Sequence, residues 1–332
     1  MSLTIAIPTY NRNNKLFENL EKVLPLVENE KIVIVDNCSD IPVEETLRPL
    51  LKQFPGIDIK IFRNKTNVGL LANFLRCFEY CETEWMWLLS DDDTPYTNCL
   101  QIIRRDIKAH ADYVFINYAS SMVEKDVPYA LCVRDKSFST TGVVEFIRKM
   151  DSFVNVIFIS SGVYNIKKVL PGLKIGYTYS FSLAPHIATV MASLGDTEKA
   201  LFSADKLVNF IPPAAKDTWS QLTFCQGVNL IMEIPIEVDD LTYITLFEKV
   251  NAWYLSDAQI YSQVATTYTY SVKKRQNIFI QLISRAFLKK RSLREKLKIV
   301  YYIAKLHIIS KRRFSDKKYD TRIDNKHPLH RL

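Results

Sequence analysis

The chain has 332 residues, of which 48% are hydrophobic and 24% charged, an ordinary globular composition that suits one large α/β domain with an appendage, or two domains. Its net charge of +8 is unevenly spread: 273–313 carries 14 Lys or Arg against one acid, Glu295, for a net +13, which leaves −5 on the rest. No uncharged apolar run reaches the roughly 18 residues of a membrane-spanning helix, no export signal precedes the first strand, and the six cysteines show neither CxxC pairs nor zinc spacing.

In chain order, Leu3-Thr4-Ile5-Ala6-Ile7-Pro8 is a short apolar strand that runs into the polar loop Thr9-Tyr10-Asn11-Arg12-Asn13. Residues 15–24 have helical spacing, with Leu16, Leu20, Val23 and Leu24 on one face and Pro25 at the end. Lys31-Ile32-Val33-Ile34-Val35 is a second strand, ending in Asp36-Asn37-Cys38-Ser39-Asp40. A helix follows within 43–53, where Pro49 obscures its extent. A third strand covers 57–62 and leads into Arg63-Asn64-Lys65-Thr66-Asn67-Val68-Gly69. Residues 70–81 are helical, with Cys77 and Cys81 as packing residues, and 85–89 form a fourth strand.

That fourth strand, Trp85-Met86-Trp87-Leu88-Leu89, ends in Ser90-Asp91-Asp92-Asp93-Thr94-Pro95. Three adjacent carboxylates repel one another, so a fold that gathers them needs a compensating cation, for which Mg²⁺ or Mn²⁺ with oxygen ligands is the natural choice. Alone, the triplet reads first as a solvated acidic turn. Its setting decides otherwise. Strands alternating with helices predict a mostly parallel sheet covered on both faces, and ligands of open α/β sheets sit outside the carboxyl ends of the strands. Four polar loops leave that edge. Neither GxGxxG nor GxxxxGK[ST] is present, which excludes a dinucleotide fingerprint and a P-loop.

Further along, 113–116 and 156–159 read as strand pieces, 143–150 and 184–194 as helices, and 206–211 as a strand stopped by Pro212-Pro213. Beyond about residue 216 the pattern is mainly helical.

Ile5-Ala6-Ile7-Pro8-Thr9-Tyr10-Asn11-Arg12, Ile34-Val35-Asp36-Asn37-Cys38-Ser39-Asp40, Asn67-Val68-Gly69 with Asn73, and Leu88-Leu89-Ser90-Asp91-Asp92-Asp93 stand in an order and spacing that resemble the family 2 glycosyltransferases. The last motif looks most like the subgroup of abequosyltransferase-like enzymes of bacterial O-antigen synthesis. The resemblance implies a GT-A fold: an α/β catalytic domain over 1–215, with a nucleotide-binding half 1–110 and an acceptor-side half 111–215, then a mainly helical basic region 216–332. It implies that Pro8, Thr9, Tyr10 and Asn11 line the base and ribose pocket and that Asp36 accepts hydrogen bonds from the nucleobase. Asn67 and Gly69 would form a tight loop near the nucleotide, with a turn-forming role for Asn67 equally open. Asp91 would lie nearer the ribose, and Asp92 or Asp93 would hold Mn²⁺ or Mg²⁺ against the leaving diphosphate. Ser90 stands where many members have an earlier Asp, so the register within the triplet stays open. Arg12 reads as a solvated loop arginine, with the diphosphate as its alternative partner.

By the same resemblance, sugar transfer with inversion needs a base for the acceptor hydroxyl. The family's Glu-Asp pair is missing from the expected region. Asp217 beside Trp219, His186 after Pro185, and Asp196 are the alternatives, with Glu198 and Asp205 as further acids. The acceptor would be a glycan or lipid-linked saccharide in O-antigen or capsule assembly. In the tail, apolar residues at helical spacing (Ile278, Leu282, Phe287, Leu293, Leu297, Val300) alternate with Lys273-Lys274-Arg275, Lys289-Lys290-Arg291 and Lys311-Arg312-Arg313. A basic amphipathic helix of this kind predicts contact with an anionic membrane surface, and free cysteines predict a reducing cytoplasm. Together these place the chain at the cytoplasmic face of the inner membrane. No nucleic-acid-binding module is recognisable. A non-catalytic nucleotide-sugar or membrane adaptor on the same fold, and more remotely a nucleotidyltransferase, are the competing readings.

Overall fold

The structure is a computed structural model that describes residues 1–109, 111–120, 134–210, 227–228 and 230–251, and a few residues between 292 and 305. The first half alternates strictly: β1 Leu3–Thr9, α1 Asn13–Val23, β2 Lys31–Asp36, α2 Val43–Gln53, β3 Ile59–Arg63, α3 Leu70–Tyr80 and β4 Trp85–Leu88. The short β5 Thr94–Pro95, α4 Cys99–Ile107, β6 Tyr113–Ser120, β7 Phe138–Thr141, α5 Gly142–Lys149, α6 Phe153–Ile157, β8 Gly162–Asn165, α7 Ile166–Val169, α8 Leu173–Thr178, α9 Pro185–Ser193 and β9 Lys199–Phe210 follow. The last described helix of length, α10, is Asp240–Asn251.

The nine strands make one sheet in the order β3-β2-β1-β4-β8-β6-β9-β5, with β7 beside β9. Strands β3, β2, β1 and β4 are mutually parallel, and β6 runs parallel to β9. Strands β8, β5 and β7 each pair antiparallel with their neighbours. The parallel sheet expected from the alternating pattern is therefore realised over the first four strands, and the second half is mixed.

Successive residues of a strand face opposite sides, and here both sides are buried. Ala6, Val33, Val35, Met86 and Leu88 face α3, α5 and α9, whereas Ile5, Ile7, Ile32, Ile34, Trp85 and Trp87 face α1, α2 and α4. That is why these strands are continuously apolar in sequence. The second layer of helices is amphipathic in the expected way, with Leu16, Leu20 and Val23 of α1 all buried. Pro49 lies inside α2 without ending it.

One element differs from its expectation. Residues 156–159 read as strand, but Phe153–Ile157 is a helix followed by a 3₁₀ turn at Ile159–Ser161. Ser152 caps it, its hydroxyl accepting from the Val154 amide at 3.3 Å, and Phe153 and Val156, three apart, are both fully buried. The place beside β4 goes instead to β8, where Trp87 pairs with Val163.

Val228, Ile231, Ile234, Leu246 and Val250 join the same core as α3, α5 and α9. The chain between 227 and 251 is thus packed against the sheet domain. Arg148 adds hydrogen bonds to Asp239 and Thr242. Among the described residues no helix is long and apolar enough to cross a membrane. The basic clusters of the tail and Asp217 lie outside the described residues.

Candidate active site

The carboxyl ends of β1, β2, β3 and β4 deliver Thr9, Asp36, Arg63 and Leu89 to one edge of the sheet. Backbone bonds stitch the departing loops together: Asn37 N to Thr9 O at 2.9 Å, Asn64 N to Asp36 O at 2.8 Å and Leu89 N to Ala6 O at 2.9 Å. Pro8 and Thr9 are buried, Tyr10 half-buried and Asn11 exposed. Asn11 takes a left-handed backbone with φ of 52°, a conformation its short polar side chain tolerates. Its amide then donates to Ser39 Oγ at 2.9 Å, and its Oδ1 accepts from the Asp40 amide at 2.7 Å.

Asp36 is 1% exposed and held at both oxygens. Oδ1 accepts from the Ser39 amide at 2.9 Å, and Oδ2 pairs with Arg63 Nη1 at 2.5 Å. Arg63 also donates to Ser39 O at 2.6 Å. Sequence reasoning missed Arg63, although the parallel register sets Asp36 directly opposite it.

Asn67 works in the turn. Its Oδ1 accepts from Asn37 Nδ2 at 2.7 Å and from the Gly69 amide at 2.8 Å, while Asn67 itself is exposed. Gly69 has φ of 87°, where only glycine is unstrained, and stands immediately before α3. Beneath the turn, Asn64 Nδ2 donates to Asn37 Oδ1 at 2.9 Å and to Asn73 Oδ1 at 2.8 Å, and Asn73 Nδ2 donates to Val35 O at 2.9 Å. Asn37, Asn64 and Asn73 are all buried.

The acidic triplet lies across from this turn, beyond β1. Thr9 Oγ1 donates to Asp91 Oδ2 at 2.7 Å, and Ser90 Oγ donates to Asp92 Oδ1 at 2.7 Å. Arg12 is the cation that meets two of the three carboxylates: its Nη1 is 2.8 Å from Asp91 Oδ1, and its Nη2 pairs with Asp92 Oδ2. The reading of Arg12 as a solvated loop arginine is corrected by this placement, because neighbouring carboxylates hold it at the triplet. Ser160, which no sequence signal marked, donates to Asp93 Oδ2 at 2.6 Å and accepts from the Ser90 amide at 2.9 Å. Asp93 is 2% exposed, and its Oδ1 is buried with no hydrogen-bond partner. Burial pushes Asp91 up to about 6, against the pull of Arg12, and pushes Asp93 up to about 7, against the Ser160 hydrogen bond.

Among the described residues, no three His, Cys, Asp or Glu side chains converge as a ready metal site. The oxygen chemistry still fits a hard divalent cation: Asp93 Oδ1 is an orphaned carboxylate oxygen, and Asp92 is adjacent and half-buried.

Of the candidates for the base, Asp196, Glu198, Asp205 and His186 are not brought to the triplet; Asp217 lies outside the described residues. Asp196 and Glu198 precede β9, whose Ala200 pairs with Tyr113 at the amino end of β6. Both β6 and β4 pair antiparallel with β8, so they run in the same direction, and this is the sheet edge opposite the triplet. Asp205 pairs with Arg105 at 2.6 Å. His186 is fully buried in α9, its Nε2 3.1 Å from Ile157 O and its ring edge-on to Phe74. Burial lowers its pKa to about 4.

The family profile described as "Glycosyl transferase family 2" matches residues 4–159, which spans β1 to the turn bearing Ser160. Over residues 4–159, just under half of the chain, the sequence matches a family 2 glycosyltransferase domain. The curated abequosyltransferase RfbV of Salmonella typhimurium strain LT2 is 29% identical over 119 residues, a stretch that covers 34% of this chain and 34% of that protein. The match thus spans about a third of its relative's length. Among solved structures, the 1–349 portion of S. aureus TarS in complex with UDP-GlcNAc superposes with a TM-score of 0.65 at 17% identity, covering 96% of this chain and 93% of that one. The mannosyltransferase PcManGT from Pyrobaculum calidifontis, in complex with GDP-Man and Mn²⁺, gives 0.52 at 11% identity, covering 95% and 88%. At these identities the structural likenesses establish the fold, a GT-A arrangement of sheet and helices that runs beyond the family match.

Proposed function

We propose that this chain is a metal-dependent glycosyltransferase that moves a sugar from a nucleotide sugar to a glycan or lipid-linked saccharide acceptor, with inversion, in bacterial surface polysaccharide assembly. The observation that carries the reading is Asp93: a buried carboxylate oxygen without a partner, at the end of the strand next to the Thr9 loop and on the same sheet edge as Asp36. Burying a charged oxygen is costly unless something pairs with it, and a divalent cation held by Asp93 would supply that partner. Pro8, Thr9, Tyr10 and Asn11 would line the nucleoside pocket, Asp36 with Arg63 would face the base, and Asp91 would lie nearest the ribose. Asp93 and Asp92 would hold Mn²⁺ or Mg²⁺, which when bound neutralises charge developing on the leaving diphosphate.

The chain's own residues do the positioning. Ser160 fixes the rotamer of Asp93, Thr9 that of Asp91, and the Asn37-centred network fixes the turn at Asn67 and Gly69. With Asp196 on the opposite edge and His186 enclosed, Asp217 is the acid we assign as base to the acceptor hydroxyl. The basic tail would hold the enzyme at an anionic membrane surface on the cytoplasmic side, next to a lipid-linked acceptor.

Thermal unfolding with a panel of UDP-, GDP-, CDP- and dTDP-sugars tests the donor reading. Mn²⁺ together with one of them should raise Tm, since stabilisation grows with the logarithm of ligand excess over Kd. Asp93→Ala and Asp92→Ala should lose that shift and the transfer activity. No shift with any donor, with or without metal, would overturn the proposal.

A further inference from the structure

Arg12 occupies oxygens that a metal would need. Its guanidinium spans Asp91 Oδ1, at 2.8 Å, and Asp92 Oδ2. The remaining oxygens of those two carboxylates meet Thr9 and Ser90, so each of the four already has a partner, and within the triplet Asp93 Oδ1 is left without one. A guanidinium and a divalent cation repel each other at contact distance, so both cannot hold Asp92 Oδ2. Arg12 keeps access to solvent, however: its side chain is 36% exposed. The same planar fork that grips two carboxylates fits phosphate oxygens equally well.

We propose that Arg12 is an exchangeable counter-ion that couples metal to diphosphate. Without ligand it neutralises Asp91 and Asp92. When the cation takes Asp92 and Asp93, Arg12 transfers to the anionic diphosphate arriving with it. The inference rests on the metal-dependent reading above and adds an order to it: bare metal binds poorly because the displaced guanidinium has no anion to meet, whereas the metal–diphosphate complex supplies one.

Calorimetric titration of the full chain with Mn²⁺ alone, and with a preformed Mn²⁺–pyrophosphate complex, separates the two ideas without any activity measurement. The wild type should prefer the complex. Arg12→Ala should bind bare Mn²⁺ about tenfold tighter and the complex more weakly, so that the preference collapses; coupling between sites commonly has this size. Arg12→Gln, which keeps hydrogen-bonding capacity but not charge, should behave alike, and serves if the alanine variant does not fold. Bare Mn²⁺ affinity that is unchanged or weaker in both variants overturns the counter-ion role. Asp93→Asn reports on the metal itself. If wild type and Arg12 variants take up no Mn²⁺ in either form, the metal reading falls, and the exchange with it.

Discussion

A histidine sealed in apolar surroundings gives the domain a defined response to acid. His186 titrates at about 4 in the fold, because burial disfavours the imidazolium, against an ordinary 6.5. Between these values the unfolded chain binds the proton and the native one does not, so the contribution of this group to stability rises with pH and is lost as pH falls from 6.5 towards 4, while the raised Asp91 and Asp93 act in the opposite sense. His186→Gln should flatten that dependence: between pH 7 and pH 5 the wild type should lose about 2 kcal/mol of unfolding free energy through this group that the variant retains. Urea denaturation at the two pH values measures it, and parallel losses would show that His186 does not set the slope. At the same scale, Asp36 and the Asp triplet were legible in the sequence because each ends an apolar strand. Arg63 and Ser160 were not. Both are common polar residues whose role exists only once β3 lies beside β2 and the turn after α6 is folded against β4.

The loops at the candidate site edge are joined by side-chain amides as well as by charge. Asn64 connects the end of β3 to Asn37 after β2 and to Asn73 in α3; its removal strands the buried Asn73 Oδ1 and leaves Asn37 Oδ1 with the Val68 amide alone. Asn64→Ala should therefore cost about 1–3 kcal/mol, read as a lower urea midpoint with an unchanged slope. Gly69→Ala acts through the backbone instead, since a Cβ at φ of 87° is strained, and should cost about 1 kcal/mol or more in the same assay. If either variant matched the wild type, the turn would not depend on this network. The helices of the first half were legible from their apolar spacing. The short run at 156–159 was not, because four apolar residues fit a strand or one helical turn alike. Only Ser152 as a cap and the occupation of the neighbouring place by β8 decided it.

Across the whole molecule, Arg134 ties the second half together. Its Nε pairs with Asp151 at 2.7 Å, its Nη1 reaches Phe115 O and Ser203 O, both at 2.7 Å, and its guanidinium lies 5.3 Å from the centre of the Phe202 ring. Arg134→Leu takes a buried cation from half-buried Asp151, which keeps Asn155, and removes hydrogen bonds to two carbonyls, so a loss of about 3 kcal/mol is expected, visible as a large fall in Tm; a fall of a degree or less would show the contacts to be dispensable. At the same scale, the basic tail should bring the chain down with anionic but not neutral liposomes, and deletion of 273–332 should abolish this. Equal recovery with both lipids, unaffected by the deletion, would remove the membrane role.

The sequence by itself determined the alternation of strands and helices, the sheet edge that carries the site, and the acids placed there. Strand ends and periodicity are local properties, and these four loops follow directly from them. Tertiary structure alone decided which side-chain cation meets Asp91 and Asp92, which oxygen of the triplet is left unpaired, and that Asp196 and Glu198 stand at the opposite edge. Those depend on register and strand direction, set by packing between segments up to a hundred residues apart, as when Arg105 meets Asp205. The triplet that charge repulsion alone would scatter is held because Thr9, Arg12 and Ser160 reach it from other elements.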